Sequence, residues 1–374
     1  MQRALALAEM GDGRTSPGPI VGCVLVQDEV IVGEGYYVGP PGSPHAEVIA
    51  LQWAGEEARG ATAYVTLEPC NHTGTTPPCT EALIAAGVSR VVFAVVDPDR
   101  RVSGEGRARL EAAGIVVEAG DGEAESSRLN EAYLKHRRTG LPFVAVKYAA
   151  TLDGRIAAAS GDSRWVSGPD TLRWTHAMRP GLDAILVGAS TVVVDNPQLT
   201  ARPGPSTGSG RAAEEVRQPL RVVLDSTGRI SAAAHVLEGP SKTLIATTAG
   251  STAAWRDAVA ATGAEVLVLP AGDDSRVALR PLLEELGRRN VLLLLVEGGG
   301  VVNGSFFDQR LVDKLYAVIA PKIVGAAAAP GPVAGRGARR MADAVTLRDV
   351  AVEMLGDDIL VTGYPVWPAE EPSP

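Results

Sequence analysis

His45-Ala46-Glu47 is the stretch that decides the fold of the first part of this chain, because Pro69-Cys70 and Pro77-Pro78-Cys79 follow it. The whole chain of 374 residues contains only five histidines and three cysteines. One imidazole and two thiolates supply three ligands of a tetrahedral zinc ion, and a catalytic site keeps the fourth position for water. Such a water can attack an amino-bearing ring carbon while a glutamate that is not a ligand transfers protons. The order predicts a zinc-dependent deaminase with His45, Cys70 and Cys79 as ligands and Glu47 as the proton carrier.

The predicted ligands fall at helix starts. Residues two apart on a regular helix do not share a face, so His45 and Glu47 can serve one site only where the chain enters a helix. Pro44 in front of His45 is consistent with such an entry. Cys79 follows Pro77-Pro78 and also opens a predicted helix, where backbone N–H groups favour a thiolate. The eight residues between the cysteines, Asn71–Pro78, are expected to loop out beside the metal.

A zinc ion that serves folding alone is the competing interpretation of these residues. Structural zinc sites normally have a fourth Cys or His ligand. The remaining cysteine, Cys23, lies in the apolar run Val21–Val26 and is more typical of a small core residue. His72 is the only other candidate nearby in the sequence. Three ligands with Glu47 beside them therefore favour catalysis over a structural zinc in a non-enzymatic scaffold.

Composition narrows the function classes. A chain of this length predicts two domains, and 45% hydrophobic with 21% charged residues is typical of a soluble enzyme. The net charge of −9 argues against a nucleic-acid partner, and hence against an RNA-editing deaminase. No apolar run is long enough to span a bilayer, and the N-terminus lacks a secretory pattern. Few cysteines at metal spacing suit a reducing cytoplasm, so we expect a cytoplasmic enzyme without a membrane partner.

The chain is predicted to form two domains, residues 1–140 and 141–367, with a disordered tail at 368–374. Strand-like and helix-like stretches alternate in the first, which is the pattern of a layered α/β domain. The second has unbroken Val-, Ile- and Leu-rich runs that suit central strands of a sheet covered on both faces. The predicted strands are Val21–Val26, Val30–Val32, Ala61–Thr66, Arg90–Val96, Phe143–Tyr148, Ala184–Val187, Leu220–Leu224, Thr243–Ala246, Val266–Leu269, Val291–Val296 and Leu315–Ile319. The predicted helices run from Ala46 to Trp53 and over Thr80–Ala86, Arg107–Ala113 and Glu123–His136.

A glycine-rich turn follows one strand of the second domain. Val291–Val296 runs straight into Glu297-Gly298-Gly299-Gly300. Such a turn lets backbone N–H groups approach a phosphate closely. The spacing is not the Rossmann G-x-G-x-x-G, and the triplet alone is equally compatible with a tight turn.

The stretch Thr66–Cys79 resembles the deaminase half of the RibD family of bifunctional riboflavin-biosynthesis enzymes. The second domain resembles the reductase half in Lys147–Arg155, Ser163–Ser167, Asp195–Arg202 and Glu297–Gly299. The resemblance implies a cytidine-deaminase-like three-layer α/β/α domain followed by a dihydrofolate-reductase-like α/β domain. It implies hydrolytic loss of the 2-amino group from 2,5-diamino-6-ribosylamino-pyrimidinone 5′-phosphate, and then NADPH-dependent reduction of the ribosyl group to a ribityl chain.

The resemblance also implies which residues contact the cofactors, Zn²⁺ and NADPH, and the small-molecule substrate. NADP contacts are expected from Ala149, Trp165, Thr191, Asp195, Ser226, Gly299, Gly300, Val301, Val302, Asn303, Gly304 and Ser305. Substrate contacts are expected from Ser163, Arg179, Leu199, Arg202 and Glu297. Guanidinium groups bind phosphate through two parallel hydrogen bonds, which suits the two arginines. The roles of Lys147 and Asp153 are left open, and a homo-oligomer is expected.

Two positions depart from the family pattern. Gly18 stands where related deaminases usually have Asn, and Thr75 stands where the cysteine loop usually has Lys or Arg. A basic side chain suits a substrate phosphate, whereas Thr75 offers only a hydroxyl group. These departures leave an alternative open: a paralogue with a working reductase and an altered or lost deaminase specificity.

Overall fold

The computed structural model describes residues 1–11, 13–39, 42–74, 76–99, 102–202 and 216–368. The chain divides into two compact units, Met1–Leu141 and Pro142–Pro374. Each unit has a sheet of its own, with five strands in the first and nine in the second. Of the predicted disordered tail, residues 369–374 lie outside the described residues. Within the described part of the chain, no helix combines the length and apolar character needed to cross a bilayer.

The first unit is a sheet with strand order β2-β1-β3-β4-β5. Strand β1 pairs antiparallel with β2 and β3, and the remaining pairs are parallel. Its elements are α1 (Gln2–Glu9), β1 (Gly22–Gln27), β2 (Val30–Tyr36), α2 (Ala46–Ala54), β3 (Thr62–Leu67), α3 (Cys79–Ala86), β4 (Arg90–Val95), α4 (Glu105–Ala112), β5 (Val116–Ala119), α5 (Glu123–Leu129) and α6 (Glu131–Thr139).

Helices cover both faces of this sheet, and glycines let two of them approach it closely. Gly22 and Cys23 point to opposite faces, because side chains alternate along a strand, and Gly35 pairs with Cys23. A Cβ on Gly22 would overlap the carbonyl oxygen of Ala4 in α1, and one on Gly35 would overlap that of Ala46 in α2. The expected three-layer α/β/α arrangement is therefore confirmed.

The second unit is a sheet with strand order β10-β9-β8-β7-β11-β6-β12-β14-β13. Strands from β10 to β12 in that order are parallel, and β14 and β13 are antiparallel at one edge. Its elements are β6 (Phe143–Thr151), α7 (Pro169–Met178), β7 (Ala184–Gly188), α8 (Ala189–Asp195), β8 (Leu220–Leu224), β9 (Thr243–Thr247), α9 (Ala253–Ala260), β10 (Glu265–Val268), α10 (Leu279–Arg288), β11 (Leu293–Val296), α11 (Gly300–Asp308), β12 (Lys314–Ala320), β13 (Thr346–Leu355) and β14 (Asp358–Val366).

The core of the second unit lies on its central parallel strands. Ile185, Val223, Ile245 and Leu295 come from four neighbouring strands and are completely buried in one cluster. Parallel strands covered on both faces read as continuous apolar runs, which is why the sequence identified them. The α/β class predicted for both units is confirmed.

Several elements differ from the sequence-based expectation: one predicted helix is divided, and strands β5, β13 and β14 and helices α1 and α7–α11 were not predicted. The predicted helix Glu123–His136 is two helices, because Asn130 leaves helical geometry with φ −106° and ψ 17°. Its side-chain amide instead accepts from the Ile20 backbone N–H at 2.8 Å and donates to the Ile20 carbonyl at 2.9 Å. Strand β13 was not predicted, since nearly all its residues are exposed and it lacks a buried face.

Candidate functional site

The start of α2 carries the predicted histidine and glutamate. His45 has extended backbone, with φ −72° and ψ 163°, and the helix begins at the next residue. Because His45 precedes the helix, its side chain is not held on a different helix face from that of Glu47. Glu47 is buried, with 4% of its surface exposed. The helix start predicted from Pro44 is present.

Cys70 and Cys79 bring their sulfur atoms to the His45 ring. The His45 Nδ1 atom lies 3.1 Å from the Cys79 Sγ and 3.6 Å from the Cys70 Sγ. Cys79 is the first residue of α3, and its backbone N–H donates to the Cys70 Sγ over 3.4 Å. One donor atom from each of the three residues lies within 4.8 Å of the other two. A nitrogen and two sulfurs that converge in this way fit the ligand chemistry of zinc.

The surroundings of Glu47, beside His45, Cys70 and Cys79, suit it to proton transfer near neutral pH. Burial, and then the negative charge of Cys70, raise the pKa of Glu47 to about 7. A hydrogen bond from Cys79 lowers the pKa of the Cys70 thiol to about 4, and the shared proton raises the pKa of the Cys79 thiol. One sulfur is thus held as a thiolate, and a cation bound by both would favour loss of the second proton.

Glu68 is a positioning residue that sequence reasoning missed. It lies between β3 and the Pro69-Cys70 turn and is 3% exposed. Its carboxylate accepts three backbone N–H groups, from Gly104 at 3.0 Å, Arg107 at 3.1 Å and Asp97 at 3.3 Å. The turn that presents Cys70 is thereby tied to the start of α4. An acidic residue at the end of an apolar strand was the signal that could have revealed it.

The loop between the cysteines is held by Thr80 of α3 and contacts His45 through its own Thr76. The Thr80 hydroxyl donates to the Asn71 Oδ1 at 2.9 Å, and the Thr80 backbone N–H donates to the Cys70 carbonyl at 3.2 Å. The Thr76 Oγ1 lies 3.3 Å from the His45 Nε2. Because Nδ1 faces the two sulfurs, the contact with Thr76 orients the ring from its other nitrogen, as outer partners of metal-binding histidines do.

Cys23 and His72, the candidates for a fourth ligand, do not join this group. Cys23 is fully buried in β1, as expected of a core residue. Among the described residues, the metal-binding geometry comprises His45, Cys70 and Cys79 only. A site with three protein ligands leaves one tetrahedral position for water or substrate.

Of the two departures from the family pattern, Thr75 lies outside the described residues. At Gly18, a Cβ would lie 3.1 Å from the Tyr37 ring and 3.0 Å from the Thr15 carbonyl oxygen. The Tyr37 ring in turn packs edge-on against the His45 ring, with centroids 5.6 Å apart. Tyr37 thus occupies the space a larger residue 18 would need. Nothing in this arrangement favours an altered deaminase.

A largely buried cluster of charges lies in the second unit. In the parallel register Val146 pairs with Val296, so the next residues, Lys147 and Glu297, come side by side. The Glu297 carboxylate lies 3.5 Å from the Lys147 Nζ and 3.4 Å from the Arg179 Nη2. Burial raises the pKa of Glu297, but the two cations outweigh this effect and lower it. The sequence left the role of Lys147 open, and the structure makes it the partner of Glu297.

Two other predicted substrate residues, Leu199 and Arg202, lie on a segment that is bonded to this cluster. Arg179 donates to the Thr200 carbonyl at 2.9 Å, which fixes the segment carrying Leu199 and Arg202. Leu199 is 4% exposed, whereas Arg202 is exposed and donates to the Gln198 amide oxygen at 3.3 Å. Ser163 lies apart from these residues in sequence and donates to the Asp195 carboxylate at 3.1 Å.

His176 in α7 joins the same cluster and was not predicted. Burial, followed by the positive charges of Arg179 and Arg202, lowers the pKa of His176. These effects favour the neutral form of its ring. A single histidine in a helix gives no sequence signal for such a role.

A cavity of about 1260 Å³ opens at the end of β11. Seven of the predicted NADP residues line it: Thr191, Ser226, Gly299, Gly300, Val301, Val302 and Ser305. A Cβ on Gly299 would meet no atom within 4 Å, so a side chain there would project into open space. The volume exceeds the usual range for small-molecule sites and accommodates a dinucleotide.

Five predicted NADP residues do not line this cavity: Ala149, Trp165, Asp195, Asn303 and Gly304. Asn303 is fully buried, and its amide donates to the Pro332 carbonyl at 2.9 Å. A Cβ on Gly304 would overlap the Ala334 carbonyl oxygen. These two residues therefore support the helix from behind, because α11 turns them away from the cavity.

Asp153, whose role was open, holds a turn. Its carboxylate accepts the Thr151 hydroxyl at 2.5 Å and the backbone N–H groups of Gly325 at 2.7 Å and Val324 at 3.2 Å. These bonds lower the pKa of Asp153 to about 2. The residue joins the end of β6 to the segment after β12.

Comparison with known proteins agrees with this division of the chain. The family model described as the cytidine and deoxycytidylate deaminase zinc-binding region matches residues 1–95. The model described as the RibD C-terminal domain matches residues 142–361. The first match contains His45, Cys70 and Cys79, and the second contains the charge cluster and the cavity.

Relatives match over nearly the whole chain. The riboflavin biosynthesis protein RibD of Escherichia coli is 41% identical over 362 residues, covering 96% of each chain. The protein of the same name from Synechocystis is 42% identical over 97% of this chain and 95% of its own. The structure of Acinetobacter baumannii RibD superposes with a TM-score of 0.87 at 37% identity, covering 98% of this chain and 97% of the other. A deaminase/reductase from Thermotoga maritima gives a TM-score of 0.80 at 34% identity with the same coverage. With its zinc-binding deaminase unit and its reductase unit, this chain belongs to the RibD family of riboflavin biosynthesis proteins.

Proposed function

We propose that this chain catalyses two reactions of riboflavin synthesis on one pyrimidine ribose-phosphate. The first unit removes the 2-amino group of 2,5-diamino-6-ribosylamino-pyrimidinone 5′-phosphate by hydrolysis. The second reduces the ribosyl group of the product to a ribityl chain with NADPH. The observation that carries the proposal is the convergence of His45, Cys70 and Cys79 beside the buried Glu47. The Thermotoga maritima relative is described as a diaminohydroxyphosphoribosylaminopyrimidine deaminase and 5-amino-6-(5-phosphoribosylamino)uracil reductase, which supports the same pair of substrates.

His45, Cys70 and Cys79 would hold the zinc ion, which when bound supplies a Lewis acid that activates water. Two thiolates offset the charge of the ion, so the ion alone lowers the pKa of water less than an all-histidine site would. A general base is therefore needed close by. Glu47, with a pKa of about 7, can carry the first proton of the water to the ring nitrogen and the second to the departing amino group, which leaves as ammonia.

The charge cluster of the second unit is suited to a phosphorylated substrate. Arg202 is exposed and engages only a neutral amide among the bonds described above, so its guanidinium can bind the substrate phosphate. Arg179 lies beside it through the Thr200 carbonyl and carries a second positive charge. Glu297 and Lys147 hold a carboxylate and an ammonium group next to these arginines, where they can bind the hydroxyl groups of the ribose.

NADPH fits the cavity at the end of β11 and when bound supplies the hydride for the reduction. Gly299 and Gly300, at the start of the nine-residue helix α11, leave backbone N–H groups accessible to the diphosphate. The bare Cα of Gly299 leaves room for that approach.

One assay tests both halves. The purified chain is incubated with the diamino-pyrimidinone phosphate, first without and then with NADPH. Ammonia release in the first incubation and NADPH oxidation in the second are expected. NADPH oxidation only when the deaminated substrate is supplied would contradict the proposed deaminase. A metal analysis without zinc would contradict the proposed metal site.

We also propose a cytoplasmic location and a homo-oligomeric assembly. A reducing compartment keeps the two cysteines of the metal group available as thiolates. Sedimentation velocity of the purified chain tests the assembly, and a purely monomeric species would contradict it.

A further inference from the structure

The order of the strands indicates which end of the cavity would hold each end of the cofactor. The substrate cluster lies on β6 and at the end of β11, through Lys147 and Glu297. The cavity extends the other way, past β7 to the end of β8, where Asp225, Ser226 and Arg229 line it. Two strand spacings separate β11 from β8, which is about 10 Å. With the nicotinamide beside the substrate and the diphosphate at Gly299, the adenosine end lies at the β8 side.

Four arginines line this cavity: Arg229, Arg276, Arg280 and Arg336. Two of them, Arg276 and Arg336, are paired with carboxylates. The Arg276 Nη1 lies 3.2 Å from the Asp274 Oδ2. The Arg336 backbone N–H donates to the Asp308 carboxylate at 2.9 Å, and its guanidinium lies 3.8 Å from the same group. Among the described residues, Arg229 and Arg280 form no ion pair.

Arg229 is the one that is aimed at the adenosine end. Its Nη1 donates to the Ser190 hydroxyl at 3.0 Å, and Ser190 also lines the cavity. This bond leaves the other guanidinium N–H groups of Arg229 unused by carboxylates in the described part of the chain. A guanidinium and a hydroxyl that are already in contact provide donors for an additional phosphate group.

Asp225, the acidic residue closest to Arg229 in the chain, is not available to bind the ribose of NADH. A free carboxylate beside the ribose would bind a 2′-hydroxyl and so favour NADH. The Asp225 Oδ1 accepts the Gly228 N–H at 3.0 Å, and its Oδ2 accepts those of Arg229 at 2.6 Å and Ile230 at 2.8 Å. With 1% of its surface exposed, Asp225 shapes the turn that presents Arg229.

We propose that Arg229, together with the Ser190 hydroxyl, binds the 2′-phosphate of NADPH and so selects NADPH over NADH. The inference rests on the proposed cofactor site and adds to it the residue that distinguishes the two cofactors. A 2′-phosphate gains charge-assisted hydrogen bonds at this position, whereas the 2′-hydroxyl of NADH does not.

Calorimetric binding of two cofactor fragments to the full-length chain tests this assignment without any turnover. The fragments are 2′,5′-ADP and 5′-AMP, which differ only in the 2′-phosphate. The wild-type chain should bind 2′,5′-ADP more tightly. Arg229→Ala should weaken 2′,5′-ADP about 10- to 100-fold and leave 5′-AMP almost unchanged, because one charge-assisted contact is lost. Arg229→Lys should restore part of the preference, since it keeps the charge but not the fork of donors.

Arg348→Ala is the control, because it removes an exposed arginine that is paired with Asp349 and does not line the cavity. It should leave both affinities unchanged. Loss of the preference in Arg276→Ala or Arg280→Ala, with Arg229→Ala normal, would overturn the assignment. Equal wild-type binding of the two fragments would overturn it as well while leaving the nucleotide cavity intact. Binding of neither fragment would remove the proposed cofactor site itself.

Discussion

Lys147 and Glu297 lie side by side on neighbouring parallel strands, with the Lys147 Nζ 3.5 Å from the Glu297 Oε1. The Arg179 guanidinium contacts the other oxygen of the same carboxylate at 3.4 Å. One largely buried anion therefore balances two cations, and its loss would leave both uncompensated.

Glu297→Gln should lower the free energy of unfolding of the second unit by about 1–3 kcal/mol. Because the pKa of Glu297 lies below its usual 4.5, the stabilisation it provides is present above pH 4.5 and is lost as the pH falls through the lowered value. Urea denaturation at neutral and acidic pH measures both effects. Glu265→Gln, which breaks a surface pair with Arg289, is the control and should change stability by less than about 1 kcal/mol. Equal effects of the two substitutions would contradict the balancing role of Glu297.

Arg202→Ala should raise the KM for the pyrimidine substrate far more than the KM for NADPH. Arg202 is exposed and bonded to the Gln198 amide, so its removal leaves no buried partner unpaired. Steady-state kinetics with each substrate varied in turn separate the two constants. Equal increases in both would exclude Arg202 as a phosphate ligand.

Glu47→Gln should keep zinc but reduce the deaminase rate by about 100- to 10,000-fold, the range for loss of a positioned proton carrier. Glutamine preserves the shape of the buried side chain and cannot accept the proton. Zinc content and ammonia release measured on the same sample distinguish the two properties. Glu56→Gln, at an exposed position two residues after α2, should leave both unchanged. Normal ammonia release from the Glu47 variant would be incompatible with its proposed role.

Gly35→Ala should weaken zinc binding, because the new methyl group would overlap the Ala46 carbonyl and displace the start of α2. Zinc retention during titration with a chelator measures the effect. Gly74→Ala is the matched control in the cysteine loop, since a Cβ there would come no closer than 3.7 Å to the His72 ring. Similar zinc affinity in both variants would show that α2 is not positioned by this close approach.

Asp97→Asn should make the stability of the first unit less dependent on pH. Burial raises the pKa of Asp97 to about 6 from 3.8, so the folded carboxyl group keeps its proton at pH values where the unfolded one has lost it. Stability therefore falls as the pH rises from about 4 to about 6, by about 1–3 kcal/mol. Asparagine lacks this titration and can still bond the Tyr133 hydroxyl, which contacts Asp97 at 3.0 Å. Urea midpoints at pH 5 and 7 should coincide more closely in the variant; an unchanged difference would refute the assignment.

Much of the metal-binding group could be predicted from local sequence patterns. Pro44 and Pro77-Pro78 marked the two helix starts, and His45 and Cys79 do lie there. The close packing of α2 against Gly35 of β2 could not be predicted, because the sequence around Gly35 does not show which helix packs there. Glu68 was missed for a related reason, since its three donors come from residues 97–107.

In the second unit, apolar runs revealed the parallel strands but not their neighbours. The Lys147–Glu297 contact depends on the pairing of β6 with β11, which are separated by four other strands along the chain. The register of two parallel strands that are distant in the chain cannot be predicted from the sequence of either strand alone. The exposed strand β13 was missed because a strand without a buried face has no hydrophobic alternation.

The paired bonds between Asn130 and Ile20 join positions 110 residues apart, at the two ends of the first unit. During synthesis these two bonds can form only after Asn130, which lies between α5 and α6, has left the ribosome. Such long-range closure slows folding relative to local contacts. We therefore expect the bonds between Asn130 and Ile20 to form late in the folding of the first unit.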